Sequence, residues 1–241
     1  MTQSAGAPSA SPTPVPVVDP KAVGVTAVTL ASRSEVGSVY RRAYVGGYVF
    51  NDLGPGSALP YEDLPLPSIM FVVRGTIRWT WPGGVRDIAA GEAAGTPADV
   101  FRQSNPGPTP SHWYTFVVYS FPNRIGAFAQ CCKTIAEGPE IPSPQEPGPH
   151  TIKLDCLTID IGGRTSAATH SGSGVIAVLD GDVEVRQRDK HVFPLTEKGV
   201  GLAPDSAVQI LNRGSSAAHV LEFFYTPDSK PFETPLTTPL N

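Results

Sequence analysis

Three side chains are the strongest candidates for chemistry in this sequence: Glu62, Arg102 and His170. A glutamate can move a proton, and a histidine titrates near neutral pH and can act as a general acid or base. An arginine can clamp a carboxylate or an enolate through paired hydrogen bonds. We therefore predict that these three residues are catalytic. Two structural alternatives stay open, because Glu62 and Arg102 could form a buried ion pair and His170 could be a core or rim residue.

These residues lie in segments whose spacing occurs twice along the chain. One set of positions recurs in the second half after a fixed interval: Gly56, Glu62, Leu64, Ser68 and Gly75 match Gly162, Ala168, His170, Gly174 and Gly181. A second set recurs after an interval one residue longer: Pro97, Arg102, Asn105 and His112 match Pro204, Gln209, Asn212 and His219. A single loop insertion accounts for the extra residue. A repeat of this length predicts two similar domains rather than a solenoid.

The composition favours short β-strands over helices. The 241 residues include 24 Gly and 26 Pro, and 40% of them are hydrophobic while 17% are charged. Such a chain is folded and rich in turns but poor in the residues that fill helices. We therefore predict an all-β protein with two domains. The predicted parts are a disordered N-terminal segment (1–22), a first domain (23–137), a linker (138–149), a second domain (150–226) and a C-terminal tail (227–241).

Three local patterns lead to further expectations. Trp79 and Trp81 stand two positions apart in an alternating run, which places both indoles on one face of a strand, either as core residues or as an aromatic wall for a ligand. Apolar residues at helical spacing predict a short helix within residues 123–137. In the strand from 152 to 161 the apolar residues change parity near Cys156, which suggests a β-bulge.

The charge and the cysteine content limit the class of partner. The net charge of -4 and the pI near 5.7 provide no basic stripe, so we expect neither a nucleic-acid nor a membrane partner. The sequence shows no apolar run of 18 residues and no secretory signal, and Cys131, Cys132 and Cys156 lack metal-type spacing. We therefore expect a cytoplasmic protein with packed thiols that binds a small molecule. A homodimer is an open alternative to a monomer.

The repeated segments resemble the two sequence motifs of the cupins, and two copies in one chain resemble a bicupin. The first motif of that family is Gly, five residues, His-x-His, three or four residues, Glu, six residues and Gly. Both halves keep the glycines of this frame, which are Gly56 and Gly75, and Gly162 and Gly181. The second motif ends in Pro-x-Gly-x-x-His, three residues and Asn, and here each Asn comes one place early after Arg102 or Gln209. The resemblance implies two tandem cupin barrels, each a double-stranded β-helix or jelly roll.

The resemblance also implies a metal held by three His and one Glu on inward-facing strands, but the residues for it are missing. Those positions hold Glu62, Leu64, Ser68 and Arg102 in the first half and Ala168, His170, Gly174 and Gln209 in the second. Neither set can bind a divalent ion, because a transition metal needs three or four N, O or S ligands. We therefore predict no metal and no other cofactor. The iron-dependent dioxygenase activity of the family is not inherited.

Inside such barrels the motif positions imply a set of substrate contacts. Glu62 and Arg102 would face each other in the first barrel, and Gln209 would be a neutral polar partner of His170 in the second. Further candidate substrate-binding residues are aromatic: Trp79, Trp81, Tyr61 and Tyr114. These residues favour a metal-independent enzyme of secondary metabolism, an isomerase, cyclase or lyase that acts by acid/base chemistry and confinement. The alternative is a non-catalytic small-molecule-binding or sensor cupin.

Overall fold

A computed structural model describes residues 20–35, 43–60, 66–120, 132–141, 148–188 and 190–240. Within these ranges all regular elements are β-strands, so the all-β prediction is confirmed. In chain order the strands are β1 (Val23–Glu35), β2 (Ala43–Leu53), β3 (Ser68–Arg74), β4 (Thr76–Trp81), β5 (Gly84–Ala89), β6 (Ala93–Gly95), β7 (Arg102–Ser104), β8 (Ser111–Ser120), β9 (Lys133–Glu137), β10 (His150–Arg164), β11 (Ala168–His170), β12 (Ser173–Asp180), β13 (Val183–Gln187), β14 (Lys190–Val192), β15 (Gly199–Leu202), β16 (Ser206–Asn212), β17 (Ala218–Pro227) and β18 (Glu233–Pro235). The described residues contain no helix long and apolar enough to span a membrane.

The first barrel consists of two sheets that pack face to face. The larger sheet has the strand order β6-β3-β8-β2-β9, and the smaller has the order β5-β4-β7. Side chains alternate along each strand, so every second residue points between the sheets. The resulting core is rich in aromatic residues, among them Tyr48, Phe50, Trp79, Trp113 and Tyr119.

The second barrel is one continuous sheet that curls on itself. Its main path is β14-β13-β16-β10-β17-β12-β15, with β1 hydrogen-bonded to β10, β11 to β16 and β18 to β11. Its core is mainly aliphatic and includes Leu157, Ile176, Val185, Ile210 and Val220. Because β1 and β18 pair within this sheet, strands from both ends of the chain belong to the second barrel.

Equivalent turns in the two barrels have the same geometry. Gly75 and Gly181 have φ angles of 76° and 86°, which lie in the left-handed region that favours glycine. Asn105 and Asn212 anchor equivalent loops in the same way. Each side-chain amide donates to the carbonyl four residues ahead, and each side-chain oxygen accepts from the backbone N–H two residues ahead. These matches fall at the positions of the sequence repeat, as expected for two tandem barrels.

The barrels share a hydrophobic interface formed by the outer faces of equivalent strands. Phe116 on β8 stacks on Phe223 on β17, with ring centroids 5.5 Å apart. Val45 and Ile69 of the first barrel and Leu154 of the second are fully buried in the same cluster. Because one face of β10, β12 and β17 packs against the first barrel, the opposite face of these strands points into the second barrel.

Three expectations from the sequence differ from the structure. β1 pairs with β10 from Val23 to Glu35, so it lies in the sheet of the second barrel although we placed it in the first domain. Residues 133–137 form strand β9 because they pair with β2, and the rest of the expected helix lies outside the described residues. The register of β10 with β17 runs unbroken from His150 to Ile159, but its register with β1 shifts beside Asp155, where Leu30 is an extra residue between Thr29 and Ala31. The irregularity near Cys156 therefore lies in β1 and not in β10. The apolar residues instead pass from the interface between the barrels to the interior of the second barrel.

Candidate active site in the second barrel

A cavity of about 310 Å³ lies inside the second barrel. Strands β10 and β17 form its base, residues of β1 line one side, and β11 and β18 line another. The charged and titratable residues of its lining are Lys153, Asp155, His170, Glu222 and Glu233. The remaining lining residues are apolar or carry hydroxyl groups, so among the described lining residues the titratable groups are those of these five side chains.

The alternation of side chains along β10 and β17 places the charged groups inside the barrel. On β10, Ile152 and Leu154 pack against the first barrel, which turns Lys153 and Asp155 inward. On β17, the outward neighbours of Glu222 likewise pack in the interface between the barrels. Each charged residue is therefore held inside by the burial of apolar neighbours on the opposite face of its strand.

Asp155 and Glu222 lie directly opposite each other on paired strands. Residues opposite each other in an antiparallel pair have Cβ atoms about 5 Å apart, so the two carboxyl groups share one region of the cavity. The Lys153 Nζ atom lies 2.6 Å from Asp155 Oδ2, and the Thr29 hydroxyl donates to Asp155 Oδ1 at 2.6 Å. Asp155 is thus paired as a carboxylate with an ammonium group and a hydroxyl group.

Glu222 has no comparable partner. It lines the cavity, and none of the described residues donates a hydrogen bond to it. Burial and, to a smaller extent, the nearby carboxyl groups of Asp155 and Glu233 raise the pKa of Glu222 to about 8 against the opposing effect of Lys153. Glu222 therefore carries a proton at neutral pH, while Asp155 beside it is paired with a cation.

His170 lies in the same cavity as a buried, neutral imidazole. Its ring stacks on Phe224 with centroids 4.2 Å apart and an interplanar angle of 5°. Its Nδ1 atom is buried and has no hydrogen-bond partner. Burial lowers the pKa of His170 to about 4. The imidazole is therefore uncharged at neutral pH.

The inward positions of the second barrel do not fit the metal that the cupin resemblance implies. A Cβ atom at Gly174 would collide with the ring of Phe224, so no glutamate can stand there without moving that ring. Ala168 and Val208 are buried and provide no ligand atom, which leaves His170 alone. Among the described residues, no three His, Cys, Asp or Glu side chains are grouped so that they could hold a metal ion.

Arg102 and Gln209 do not point into the barrels, contrary to the expectation from the motif. Arg102 is exposed, and Gln209 is buried on the outer face, where its side-chain amide donates to the Thr165 carbonyl at 3.1 Å. Counting back four residues from each anchoring Asn, as the family motif requires, gives Phe101 and Val208, and both are buried in the barrel cores. A one-residue change of register in a strand moves a side chain to the other face.

The aromatic candidates have structural surroundings, and two further candidates lie outside the described residues. Trp79 is buried in the core of the first barrel against Phe101, whereas Trp81 is partly buried at the end of β4. Tyr114 is buried in the interface between the barrels rather than at a rim, because its position on β8 faces outward. Glu62 and Tyr61 belong to the segment that the structure does not describe.

The expected site residues omitted Asp155 and Glu222. Both interrupt strands that are otherwise apolar: Asp155 follows Leu154, and Glu222 stands between Leu221 and Phe223. Burial of an ionisable side chain at an inward position destabilises the fold unless the group is paired, so such a residue suggests a binding or catalytic role. That signal was present in the sequence, but reading it requires knowledge of which face of each strand is inside.

Comparisons with known proteins agree on the fold. No family model matches the sequence, and no curated protein matches it. Solved structures do match. AerE from Microcystis aeruginosa is 12% identical, with a TM-score of 0.54, over 86% of this chain and 99% of that chain. The oxalate decarboxylase of Lactobacillus farciminis, in its formate complex, is 11% identical, with a TM-score of 0.59, over 87% of this chain and 88% of that chain.

A third structure gives the same result. A deletion mutant of the Bacillus subtilis oxalate decarboxylase is 11% identical, with a TM-score of 0.56, over 90% of this chain and 81% of that chain. At such low identity the likeness concerns the backbone alone. The protein therefore has the cupin fold, built as two tandem barrels in an all-β chain.

Proposed function

We propose that the cavity of the second barrel is the active site of a metal-independent enzyme that moves a proton on a small organic molecule. The observation that carries this proposal is the pair formed by Asp155 and Glu222. Two carboxyl groups share one cavity, where Asp155 is bound to the Lys153 ammonium group and burial raises the pKa of Glu222 to about 8. Such a pair provides an acid and a base side by side, which is the arrangement that acid/base catalysis requires.

Each group has a distinct role in this proposal. Glu222 holds the proton and acts as the general acid, and Asp155 is the carboxylate that accepts a proton from the substrate. The imidazole of His170 is neutral and orients a polar atom of the substrate through Nδ1. The rings of Phe224 and Phe232 provide apolar walls. An isomerase, a cyclase or a lyase can operate with these groups, because each needs a proton removed at one atom and added at another.

Two features support a small organic substrate. The cavity volume of about 310 Å³ is at the lower end of the range of small-molecule sites. Proteins that share the fold include two oxalate decarboxylases, whose names describe action on a small molecule. Their chemistry is not transferred to this chain, since the inward positions of the second barrel lack a metal-binding set.

The proposal is tested by proton exchange in D2O. The full-length protein is incubated with a panel of small ketones and imines, and the loss of their C–H signals is followed by NMR. We expect exchange with the wild type and a fall of at least ~100-fold in Glu222→Gln and in Asp155→Asn. Asp182→Asn, which removes an exposed carboxylate of the same barrel, is the matched control and should exchange normally. Exchange that survives in both cavity variants would refute the assignment.

A non-catalytic binding module is the second candidate function. The observation that favours it is the position of strands from both ends of the chain beside the cavity, because Val25 and Phe232 line it from β1 and from the segment before β18. Occupancy could then alter how firmly these segments pack. This alternative predicts saturable binding of a small molecule without exchange of any of its C–H protons.

A further inference from the structure

The described lining residues of the cavity include three carboxyl groups but one ammonium group. Lys153 is the only lysine or arginine among the described lining residues, and its ammonium group is already bound to Asp155 and placed 5.1 Å from the centre of the Phe232 ring. Among the described residues, no such cation is paired with Glu222 or Glu233. A carboxylate ligand entering this cavity would meet two further carboxyl groups and no unpaired positive charge.

Two titratable groups of the cavity lack hydrogen-bond partners among the described residues. Glu222 receives no hydrogen bond from any described residue, and the buried Nδ1 atom of His170 has no partner. A buried polar group without a partner destabilises the protein unless a ligand or water satisfies it. Phe224 and Phe232, set at 85° to each other, add apolar surface, although His170 already stacks on Phe224 and Lys153 already lies over Phe232.

We propose that the ligand of this cavity carries a basic nitrogen, as an amine or an imine, that donates to Glu222 beside the rings of Phe224 and Phe232. This inference rests on the proposed function for the location of the site, but it concerns binding and holds whether or not the bound molecule is converted. It assigns a substrate class opposite in charge to the carboxylates named for the oxalate decarboxylases of the same fold.

Binding of an ammonium group should release a proton. In the free protein Glu222 is a neutral carboxylic acid, and an ammonium ion beside it favours the carboxylate, so the carboxylic acid proton passes to the solvent while the ammonium keeps its own. The other groups that face Glu222 are Asp155 and Lys153 on β10, His170 on β11 and Glu233 on β18. An imine that enters uncharged takes the same proton directly, which is the general-acid step of the proposed function, and none is then released. With an ammonium ligand Glu222 is ionised and does not act as the acid.

The proton release has a defined pH dependence. Since burial raises the pKa of Glu222 to about 8, the acid must be ionised at neutral pH before it can pair with an ammonium ion. The affinity for a permanently protonated amine should therefore rise roughly tenfold per pH unit from pH 6 to near 8 and then level off. A neutral ligand of the same shape should show no such rise.

Calorimetric titration of the full-length protein tests the inference. Benzylamine, benzyl alcohol and benzoate form a series of similar shape and different charge, and each is titrated at pH 7 in phosphate and in Tris. We expect benzylamine to bind at least ~10-fold more tightly than benzyl alcohol, with close to one proton released per amine, and benzoate to bind more weakly than both. Glu222→Gln should abolish the proton release, and Asp182→Asn should not.

Each outcome has a defined meaning. Tighter binding of benzoate, amine binding without proton release, or no binding of benzylamine at millimolar concentration overturns the amine assignment. If the D2O experiment shows exchange with an anionic ketone while benzylamine fails to bind, the proposed function stands and this inference fails. If benzylamine binds with proton release and no compound exchanges its protons, the ligand class stands and the enzymatic role fails.

Discussion

The two barrels carry different side chains at equivalent inward positions of two equivalent strand pairs, β2–β8 in the first barrel and β10–β17 in the second. In the first barrel, Tyr48 on β2 lies opposite Thr115 on β8, and in the second, Asp155 on β10 lies opposite Glu222 on β17. The first pair is neutral, whereas the second consists of two carboxyl groups. Both pairs are held inward by the same device, which is an apolar interface on the opposite face of each strand.

The residues that maintain the turns and loops are the same in the two barrels, whereas the residues that line the cavity of the second barrel differ. Gly75 and Gly181, and Asn105 and Asn212, serve the same turns and loops in both barrels. In the first barrel the rings of Tyr48 and Tyr119 occupy the space that a side chain at position 46 would need, but the equivalent place in the second barrel holds Lys153. A few inward residues thus distinguish an aromatic core from a charged cavity.

The largest effect is expected when the second barrel receives the residue of the first. Glu222→Thr copies Thr115 and removes the proposed acid, so the rate of C–H exchange should fall by at least ~100-fold. Thr115→Val in the first barrel removes a buried hydroxyl group outside the proposed site and should leave the rate unchanged. An equal fall of the C–H exchange rate in both variants, measured by NMR, would contradict the location of the site in the second barrel.

Gly174 and Ser68 occupy equivalent positions, so a second substitution can place the residue of the first barrel in the second barrel. Ser68 is accommodated in the first barrel, where its hydroxyl lies 2.8 Å from that of Thr96, but a side chain at Gly174 would collide with Phe224. We expect Gly174→Ser to lower the free energy of unfolding by about 3 kcal/mol through overpacking. Adding Phe224→Val, which copies Val117, should restore part of the loss, since the Phe223 carbonyl oxygen still lies 2.7 Å from the added Cβ atom. Denaturant titration followed by circular dichroism measures both, and a harmless Gly174→Ser would contradict the packing argument.

The shared anchors should respond alike in the two barrels. Asn105→Ala and Asn212→Ala each leave buried backbone groups without a partner, so each should cost about 2 kcal/mol of stability. All 3 tryptophans lie in the first barrel, so their fluorescence follows that barrel while circular dichroism follows both. Unequal losses in the free energy of unfolding would show that the two loops do not contribute equally to stability.

The smallest effect expected is a pH slope confined to the second barrel. The pKa of Glu222 rises from 4.5 to about 8 on folding, so the folded protein holds this proton more tightly and stability is lost as pH rises through that interval. Burial lowers the pKa of His170 from 6.5 to about 4, which opposes the slope below pH 6.5. Between pH 6.5 and 8 the slope should be at most about 1 kcal/mol per pH unit. It should vanish in Glu222→Gln and persist in Thr115→Val when unfolding is measured across this range.

The fold could be predicted from the sequence because its signals are local. Glycine at a left-handed turn and an asparagine that anchors a loop each leave a residue type at a fixed place, and the repeat doubles the evidence. The location of β1 could not be predicted in this way. Its pairing with β10 joins residues far apart in sequence, and nothing within Val23–Glu35 distinguishes one barrel from the other.

The site was harder to predict because it depends on which face of each strand is inside. His170 was recognised from its position in the motif, and the structure places it in the cavity. Counting from the proline of the motif selects Arg102, whereas counting from Asn105 selects Phe101, which does face inward. Asp155 and Glu222 become neighbours only through the pairing of β10 with β17.

The pairing of β1 with β10 of the second barrel affects the order in which the strands can pair during synthesis. During synthesis this strand leaves the ribosome long before β10, so it must remain without its partner while the first barrel assembles. Arg33 then ties the finished strand back to the first barrel through a hydrogen bond of 2.6 Å to the Thr96 carbonyl. A fragment that begins after the first barrel would lack Val25 and Ala27 beside its cavity, so the two halves cannot be separated at the intervening linker without opening the pocket.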